Sequence, residues 1–303
     1  MNTYRVIGRV LVTTCLCLSV GGAYAQTPQA PQAPPKPFEP TVGQQGKDVV
    51  WVPTPEELVQ KMLDMAQVTA KDYVIDLGSG DGRTVIAAAK RGARALGIEY
   101  NPEMVELSKR NASAAGVSDK ASFVKADIFE SDFSKATVIT MFLLPSLNVQ
   151  LRPKILDLAP GTRIVSNSFT MEAWQDDDTA TIEQGCTSWC TAHFWIVPAK
   201  VEGTWLLPQG DLTLTQQFQM ISGTLGPTKI NGKLRGNEIS FTAGDAQYTG
   251  QVNGALNFIL ANSNRVTTGC GAATPARRCR MACGERLRDQ ACSDADPTRR
   301  KST

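Results

Sequence analysis

Between residues 49 and 200, short apolar runs alternate with stretches in which apolar side chains recur every three or four positions. The runs predict buried strands, and the wider spacing predicts amphipathic helices. This alternation is typical of an α/β domain with helices on both faces of a sheet. We predict strands leading into Asp76 and at residues 95–98, 121–125, 136–142, 162–166 and 191–197. Helices are predicted from residue 55, over 84–90, from about 100 to 115, and from 147 to 158.

The ends of these helices carry local signals. Thr54 is a good N-cap, Pro55 suits the first helical position, and Glu57 completes a capping box. Gly116 is a plausible stop for the third helix. Pro153 lies inside the last helical pattern, where a kink or a restart is expected.

From residue 201 the apolar positions recur at every second residue. Short alternating runs separated by glycine-containing turns predict an antiparallel meander of about six strands over residues 201–262. This segment carries no catalytic constellation. We interpret it as an accessory β module for packing, substrate contact or dimerisation.

The first 47 residues lack a core pattern. Residues 1–25 combine a positively charged start, an apolar run and an Ala23-Tyr24-Ala25 cleavage site, which predicts a secretory signal peptide. The apolar run is too short for a permanent membrane span. Six prolines in residues 26–47 predict an extended linker. An exported, periplasmic protein is expected, and an uncleaved N terminus on a cytoplasmic enzyme is the alternative.

Residues 263–303 differ in composition from the rest of the chain. They contain four cysteines and no hydrophobic periodicity, and residues 264–303 hold nine Lys or Arg against four Asp or Glu. We predict a disordered tail; a shifted reading frame or a cysteine-rich metal site is the alternative. The net charge of the whole chain is only +2, so no strongly charged partner and no nucleic acid is expected.

A glycine turn follows the first strand of the α/β domain. Asp76 ends the strand, and Gly78, Gly80 and Gly82 follow at alternate positions before a helix. Such a turn lets the backbone approach a ligand closely, and the helix N terminus adds free N–H groups. Glu99 ends the second strand, where a carboxylate accepts both hydroxyls of a ribose. A ribose-containing ligand is therefore expected at this edge of the sheet.

This stretch resembles the S-adenosylmethionine (SAM) site of class I methyltransferases, whose turn has the pattern D/E-x-G-x-G-x-G. The resemblance implies a Rossmann-like sheet, SAM as the methyl donor, no metal, and a contact of Asp127 with the adenine amino group. A dinucleotide-binding turn is the alternative, but Arg83 stands where its third glycine belongs. Tyr100 is expected to stack on adenine or simply to pack. The residues implied in SAM binding are Asp76, Leu77, Gly78, Ser79, Gly80, Asp81, Gly82, Glu99, Tyr100, Asn101, Asp127 and Ile128.

The segment before the first helix indicates which family of class I methyltransferases the chain resembles. Residues 49–175 are similar to the protein-lysine methyltransferases that modify the ATP synthase c-subunit and related carriers, here in a bacterial, exported form. In that family this segment closes over SAM and the acceptor, and Trp51 stands where a smaller aromatic ring is usual. The residues implied on the acceptor side are Trp51, Pro53, Thr54, Phe142, Leu143, Leu144 and Pro145.

Methylation of a protein lysine amine is the function that this resemblance implies. A small-molecule acceptor, or SAM binding without turnover, is the alternative, and the pattern assigns neither a catalytic base nor an oligomeric state. The turn at residues 143–146 is not the N/D-P-P-Y motif of amide and amino-purine methyltransferases, which argues against nucleic-acid bases and glutamine as acceptors. Export and SAM dependence are in conflict, because SAM is made in the cytosol.

Three polar features near residue 180 have structural interpretations. The acidic run 176–178 lacks the spacing of a metal loop and is interpreted as a solvated turn within the polar segment 169–185. Cys186 and Cys190 are expected to form a disulfide if the protein is exported. His193, the only histidine, is expected to pack within a strand.

Overall fold

A computed structural model describes residues 36–207, 209–253, 256–262 and 265–273 of the 303-residue chain. A compact unit begins at Phe38. The predicted signal peptide, residues 26–35 of the predicted linker, and residues 274–303 of the predicted tail lie outside the described residues.

The α/β domain contains a seven-stranded sheet with the order β3-β2-β1-β4-β5-β7-β6. Neighbouring strands are parallel from β3 to β5, whereas β7 runs antiparallel to both β5 and β6. The predicted α/β fold is therefore confirmed. Its elements are α1 (Glu56–Met65), β1 (Tyr73–Leu77), α2 (Arg83–Lys90), β2 (Arg94–Glu99), α3 (Pro102–Ala114), β3 (Ala121–Lys125), β4 (Val138–Met141), α4 (Pro145–Leu156), β5 (Arg163–Asn167), β6 (Asp178–Thr181) and β7 (Thr191–Ile196).

Helices cover both faces of this sheet. One apolar core contains the buried sides of α1, α2 and α3, and a second contains α4 together with Trp174 and Trp195. Strand β1 pairs with β2 on one side and β4 on the other, so the connections leave it in opposite directions. Ligands of open α/β sheets bind at the carboxyl ends of the strands at such a point.

The predicted cap of α1 is wrong by one residue. Helix α1 begins at Glu56, and Pro55 occupies the N-cap position with an extended ψ of 140° and no side-chain cap. The Thr54 hydroxyl instead accepts a hydrogen bond from Asn167 Nδ2 at 3.2 Å. The Thr54 side chain is therefore bonded to the end of β5 and does not cap α1.

The linker prediction is also wrong over the residues nearest the domain. Residues 41–52 fold back on themselves, and we call them the strap: Gly43 N donates to Trp51 O at 2.8 Å, and Trp51 N donates to Gln44 O at 2.9 Å. Backbone pairing of this kind carries no hydrophobic periodicity, so a proline-rich, polar composition concealed it.

The segment 169–185 is not simply a solvated turn. Met171 and Trp174 are fully buried, and β6 lies within it as the edge strand of the sheet. Asp176 Oδ2 lies 2.6 Å from Nδ1 of His193, which is packed in β7 as expected. Because β6 has mostly exposed polar side chains, its sequence shows no alternation from which a strand could be predicted.

The β module is an eight-stranded antiparallel sheet in which consecutive strands are neighbours. The sheet is curled, so that β15 comes close to β8. The expected count of about six strands was too low. Strand β15 lies in the segment that was predicted to be a tail, and it was missed because its small residues show no hydrophobic alternation. The strands are β8 (Gly203–Leu207), β9 (Gly210–Gln217), β10 (Met220–Leu225), β11 (Thr228–Arg235), β12 (Glu238–Ala243), β13 (Ala246–Val252), β14 (Leu256–Asn262) and β15 (Arg265–Ala273).

The module is joined to the α/β domain by stacking and by hydrogen bonds. Phe218, between β9 and β10, stacks on Trp174 with ring centroids 6.0 Å apart and planes 13° apart. Gln219 Nε2 donates to Gln175 O at 2.8 Å, and Ala199 N donates to Gly236 O at 2.9 Å. These contacts hold the module against the β6–β7 edge of the sheet. Across the described ranges, no helix is both long and apolar enough to cross a bilayer.

Candidate active site

A cavity of about 410 Å³ opens at the carboxyl ends of β1, β2 and β4, and the strap forms part of its wall. Its volume lies within the range of small-ligand sites. The glycine turn and β2 supply one end of the cavity, and the segments after β4 and β5 supply the other. We call these the donor end and the acceptor end.

The glycine turn requires its glycines for two reasons. Gly78, Gly80 and Gly82 have φ of 77°, 54° and 83°, which side chains of L-residues rarely adopt. A Cβ on Gly80 would also lie 2.8 Å from Nε1 of Trp51, so the strap packs directly against the bare backbone of the turn. At Gly78 and Gly80 the turn therefore presents bare main-chain groups to the cavity, which Ser79 and Asp81 also line.

Glu99 fixes the turn from the neighbouring strand. Its Oε2 accepts a hydrogen bond from Gly80 N and its Oε1 accepts one from Asn101 N, both at 2.9 Å. A carboxylate oxygen accepts more than one hydrogen bond, so both oxygens retain capacity for a ligand. The carboxylate is thus held rigidly at the cavity wall, as the ribose contact requires.

Asp76 lies beneath the same turn and is only 6% exposed. Thr140 Oγ1 donates to its Oδ1 at 2.7 Å. Burial raises the pKa of Asp76 from 3.8 to about 7, and the charges of Glu99 and Asp81 act in the same direction, against the hydrogen bond from Thr140. A cation that enters the cavity would stabilise the charged form of this carboxyl group.

The raised pKa of Asp76 predicts a pH dependence of stability in the ligand-free protein. Between pH 3.8 and about 7 the folded state binds the Asp76 proton more tightly than the unfolded state does, so this contribution to the free energy of unfolding falls as pH rises. The melting temperature of the wild type should fall relative to that of Asp76→Asn up to about pH 7, and the two should run parallel above it. A difference that stays constant over the whole range would contradict the assignment.

Lys47 of the strap reaches Asp127, which the sequence analysis assigns to adenine. The two side chains form an ion pair at 2.5 Å, and Lys47 Nζ lies 5.1 Å from the ring centroid of Tyr100. The hydrogen bond raises the pKa of Lys47 and lowers that of Asp127. Sequence reasoning missed Lys47 because it lies inside the predicted linker.

Asp81 and Arg83 link the turn to the start of α1. Arg83 Nη2 lies 2.6 Å from Asp81 Oδ2, and Arg83 Nη1 donates to Thr54 O at 2.8 Å. Arg83, the residue that breaks the dinucleotide-binding pattern, therefore ties the glycine turn to Thr54, which lies between the strap and α1.

The acceptor end contains three aromatic rings, which we call the aromatic wall: Phe142, Phe169 and Trp189. Their centroids are 6.1 Å apart for Phe142 and Phe169, 6.0 Å for Phe142 and Trp189, and 5.2 Å for Phe169 and Trp189. Trp189 is held in a short loop that the Cys186–Cys190 disulfide closes. Sequence reasoning missed Phe169 and Trp189, although a tryptophan enclosed by two cysteines was a usable signal.

Most of the predicted site residues meet at this cavity. Leu77 is fully buried beneath the turn, Gly82 caps α2, and Pro145 begins α4, and these three do not line it. The contacts of individual residues with SAM stay predictions. The predicted residues that line the cavity are Trp51, Pro53, Thr54, Asp76, Gly78, Ser79, Gly80, Asp81, Glu99, Tyr100, Asn101, Asp127, Ile128, Phe142, Leu143 and Leu144.

The cavity fits SAM in its volume, and its donor end does so in the bare backbone at Gly78 and Gly80 and in the fixed carboxylate of Glu99. No group of three or more His, Cys, Asp or Glu among the described residues is arranged to hold a metal ion.

Two family models match parts of the chain. The ANTKMT methyltransferase domain matches residues 76–178, and a DNA methylase model matches residues 38–110. The first match runs from the glycine turn to β6 and includes the ends of β4 and β5, whereas the second stops within α3.

Individual relatives agree with the first match. A protein-lysine N-methyltransferase of Saccharolobus islandicus is 45% identical over 140 residues, which cover 45% of this chain and 87% of that protein. The mouse lysine N-methyltransferase of the ATP synthase c-subunit is 35% identical over 130 residues, 43% of this chain and 52% of that protein.

A crystal structure described as that of an RNA methyltransferase from Salinibacter ruber, in complex with S-adenosyl-L-homocysteine, has 45% sequence identity. It covers 50% of this chain and 96% of that chain, with a TM-score of 0.47.

From the archaeal relative and the matched domain, the chain belongs to the class I SAM-dependent methyltransferases with an ANTKMT-type domain, homologous to protein-lysine N-methyltransferases, and SAM is its methyl donor.

Proposed function

We propose that the enzyme methylates the ε-amine of a lysine in a protein. The observation that carries the proposal is the composition of the acceptor end, where every lining residue from the end of β4 onward is apolar. These residues are Met141, Phe142, Leu143, Leu144, Leu147, Phe169 and Trp189. The charged side chains that line the cavity all belong to the strap and to the segments that form the donor end.

An apolar acceptor end suits an amine nucleophile. SAM supplies a methyl group activated by a sulfonium. The lysine nitrogen must be neutral to offer its lone pair, although its ordinary pKa is about 10.4. Apolar walls lower the pKa of a lysine by desolvation. The new N–C bond forms as the S–C bond breaks, and the methylated amine then loses a proton to solvent. The enzyme chiefly has to align the two reactants, so no side chain is assigned as a base.

The names of the relatives support the same acceptor. The archaeal relative is a protein-lysine N-methyltransferase, and the mouse relative acts on a lysine of the ATP synthase c-subunit. The chain spans most of the first relative but about half of the second, so a protein lysine is the level at which we propose the acceptor.

The proposal is tested by incubating the full chain with radiolabelled SAM and three acceptor pools. The pools are total protein from the source cells, the same protein with its lysines acetylated, and total RNA. Label should enter the first pool only, and mass spectrometry should place the methyl group on lysine. Label in RNA but not in protein would overturn the proposal in favour of a nucleic-acid acceptor. Absence of label from all three pools would contradict the proposal and favour a small-molecule acceptor.

We also propose that the protein is exported to the periplasm. The support is the three-part pattern of residues 1–25 and the Cys186–Cys190 disulfide, a bond that persists in oxidising compartments. Cell fractionation followed by N-terminal sequencing should find a periplasmic protein that begins at Gln26. A cytoplasmic protein that still begins at Met1 would contradict export.

A further inference from the structure

We propose that the aromatic wall is a binding subsite for the methylated ammonium group of the acceptor, so that it retains the amine once it carries methyl groups. This inference deepens the proposed function and rests on it for the identity of the acceptor as a lysine. The wall consists of Phe142, Phe169 and Trp189, which come from three separate segments of the chain and meet at the acceptor end.

The geometry of the wall suits a single cation. Its three ring centroids are 5.2–6.1 Å apart, and the planes of adjacent rings differ by 27–59°. The distances allow one cation to lie within about 6 Å of all three centroids, which is the distance over which a cation is attracted to a ring face. Phe142 and Phe169 are half-buried and Trp189 is 43% exposed, so the wall is open on one side.

The chemistry of the wall distinguishes methylated from unmethylated ammonium. An unmethylated lysine ammonium carries three N–H donors that need acceptors, and the lining residues that come from the end of β4 and the segments after β5 and β6 are all apolar. A methylated ammonium has fewer donors, or none, and a larger apolar surface over which its charge is spread. Aromatic surfaces are known to recognise such cations. The wall should therefore prefer the methylated amine to ammonium, and a cation to a neutral group of the same size.

Phe169 is held in place by its backbone. Its carbonyl accepts a hydrogen bond from the fully buried Asn148 Nδ2 at 3.2 Å, and the preceding residue, Ser168, has a φ of 60°. This left-handed conformation is uncommon outside glycine and is maintained by surrounding contacts. Ser168 N donates to Thr191 O at 2.7 Å, which ties the segment to β7.

Trp189 is held by covalent chemistry. It has a φ of 61° and lies between Cys186 and Cys190, whose disulfide closes the loop. The disulfide is therefore a positioning device for one ring of the subsite. If the bond is removed, the loop is free to leave this conformation, and the wall loses a ring without any change in the donor end.

The test uses tetramethylammonium as the probe, with ammonium and the neutral tert-butanol for comparison. The full chain, saturated with S-adenosylhomocysteine, is labelled with ¹⁵N at its tryptophan indoles. The Trp189 signal is assigned from Trp189→Phe. Tetramethylammonium should shift this signal saturably, ammonium should not, and tert-butanol should bind more weakly. Equal binding of tert-butanol and tetramethylammonium would reduce the wall to an apolar surface and overturn the proposal.

Variants distinguish the contribution of the aromatic rings to binding from a general loss of structure. Phe142→Leu and Phe169→Leu, which keep the Trp189 signal, should each weaken tetramethylammonium binding about three-fold, which is the effect of one exposed cation–π contact. Trp205→Leu, on β8 of the module, is the matched control and should leave binding unchanged. The double variant Cys186→Ser/Cys190→Ser should weaken tetramethylammonium binding at least as much as Phe169→Leu does, while S-adenosylhomocysteine affinity stays the same. Unchanged tetramethylammonium binding in the ring variants would overturn the proposal.

This binding test does not depend on turnover, so its outcome is separable from that of the proposed function. Lysine methylation without tetramethylammonium binding would overturn the subsite alone. Tetramethylammonium binding without lysine methylation would support the subsite and overturn the acceptor.

Discussion

Glu99→Ala is expected to abolish detectable SAM binding, with a loss of affinity of at least about 100-fold. The Glu99 carboxylate accepts hydrogen bonds from Gly80 N and Asn101 N, and it is also the predicted acceptor of the ribose hydroxyls. Hydrogen bonds to a charged group contribute about 1.5–3 kcal/mol each, and their loss would also release the glycine turn. Isothermal titration calorimetry with SAM measures the change. Asp76→Ala, which removes the buried carboxyl group beneath the turn, should have the same outcome.

The matched control for Glu99→Ala is Glu106→Gln. Glu106 is an exposed carboxylate on α3 whose partner is Lys109, at 2.8 Å, and it does not line the cavity. Removing its charge should leave SAM affinity within two-fold of the wild type, because exposed ion pairs contribute little. Unchanged SAM affinity in Glu99→Ala, in a protein that is still folded by circular dichroism, would refute the assignment of the donor end.

Trp174→Ala should lower the free energy of unfolding by about 3–5 kcal/mol. Trp174 is fully buried, and its ring contacts both Trp195 in the α/β domain and Phe218 in the β module. Its removal would leave a cavity at the junction of the two sheets. Urea denaturation followed by circular dichroism gives the value. Trp174→Phe should cost much less, because it keeps a ring at the junction and removes an indole N–H that has no hydrogen-bond partner among the described residues.

Leu206→Ala is the control for this loss. Leu206 is an exposed residue of β8, and its truncation should change stability by no more than about 0.5 kcal/mol. If Trp174→Ala were no more destabilising than Leu206→Ala, the stacking between the domain and the module would not be a stabilising contact.

The donor end was predictable because its signals are contiguous in sequence. Asp76, the three glycines and Glu99 lie at the ends of two successive strands, and the fold brings adjacent strand ends together. The α/β fold was predictable for a similar reason, because the local spacing of apolar residues predicts each strand and helix of the domain except β6. The structure brings Asp76, Gly78, Gly80 and Glu99 to one cavity, whereas Gly82 caps α2.

The acceptor end could not be predicted in the same way. Phe142 was identified from the end of β4, but Phe169 and Trp189 follow β5 and β6, and no spacing relates the three rings. Their proximity depends on the sheet order, in which β7 lies between β5 and β6. Lys47 was missed for another reason: the pairing of the strap is made by main-chain groups, which leave no pattern in side chains.

The division of the cavity between two parts of the chain has an evolutionary consequence. Gly80 of the turn after β1 is bonded to Glu99 at the end of β2, whereas the three rings of the aromatic wall come from three later segments, after β4, β5 and β6. If the aromatic wall binds the acceptor as proposed, a substitution at any one ring should alter acceptor preference while the donor motif remains intact. Under the proposed function, acceptor preference could therefore change through single substitutions in these loops, with the donor motif unchanged.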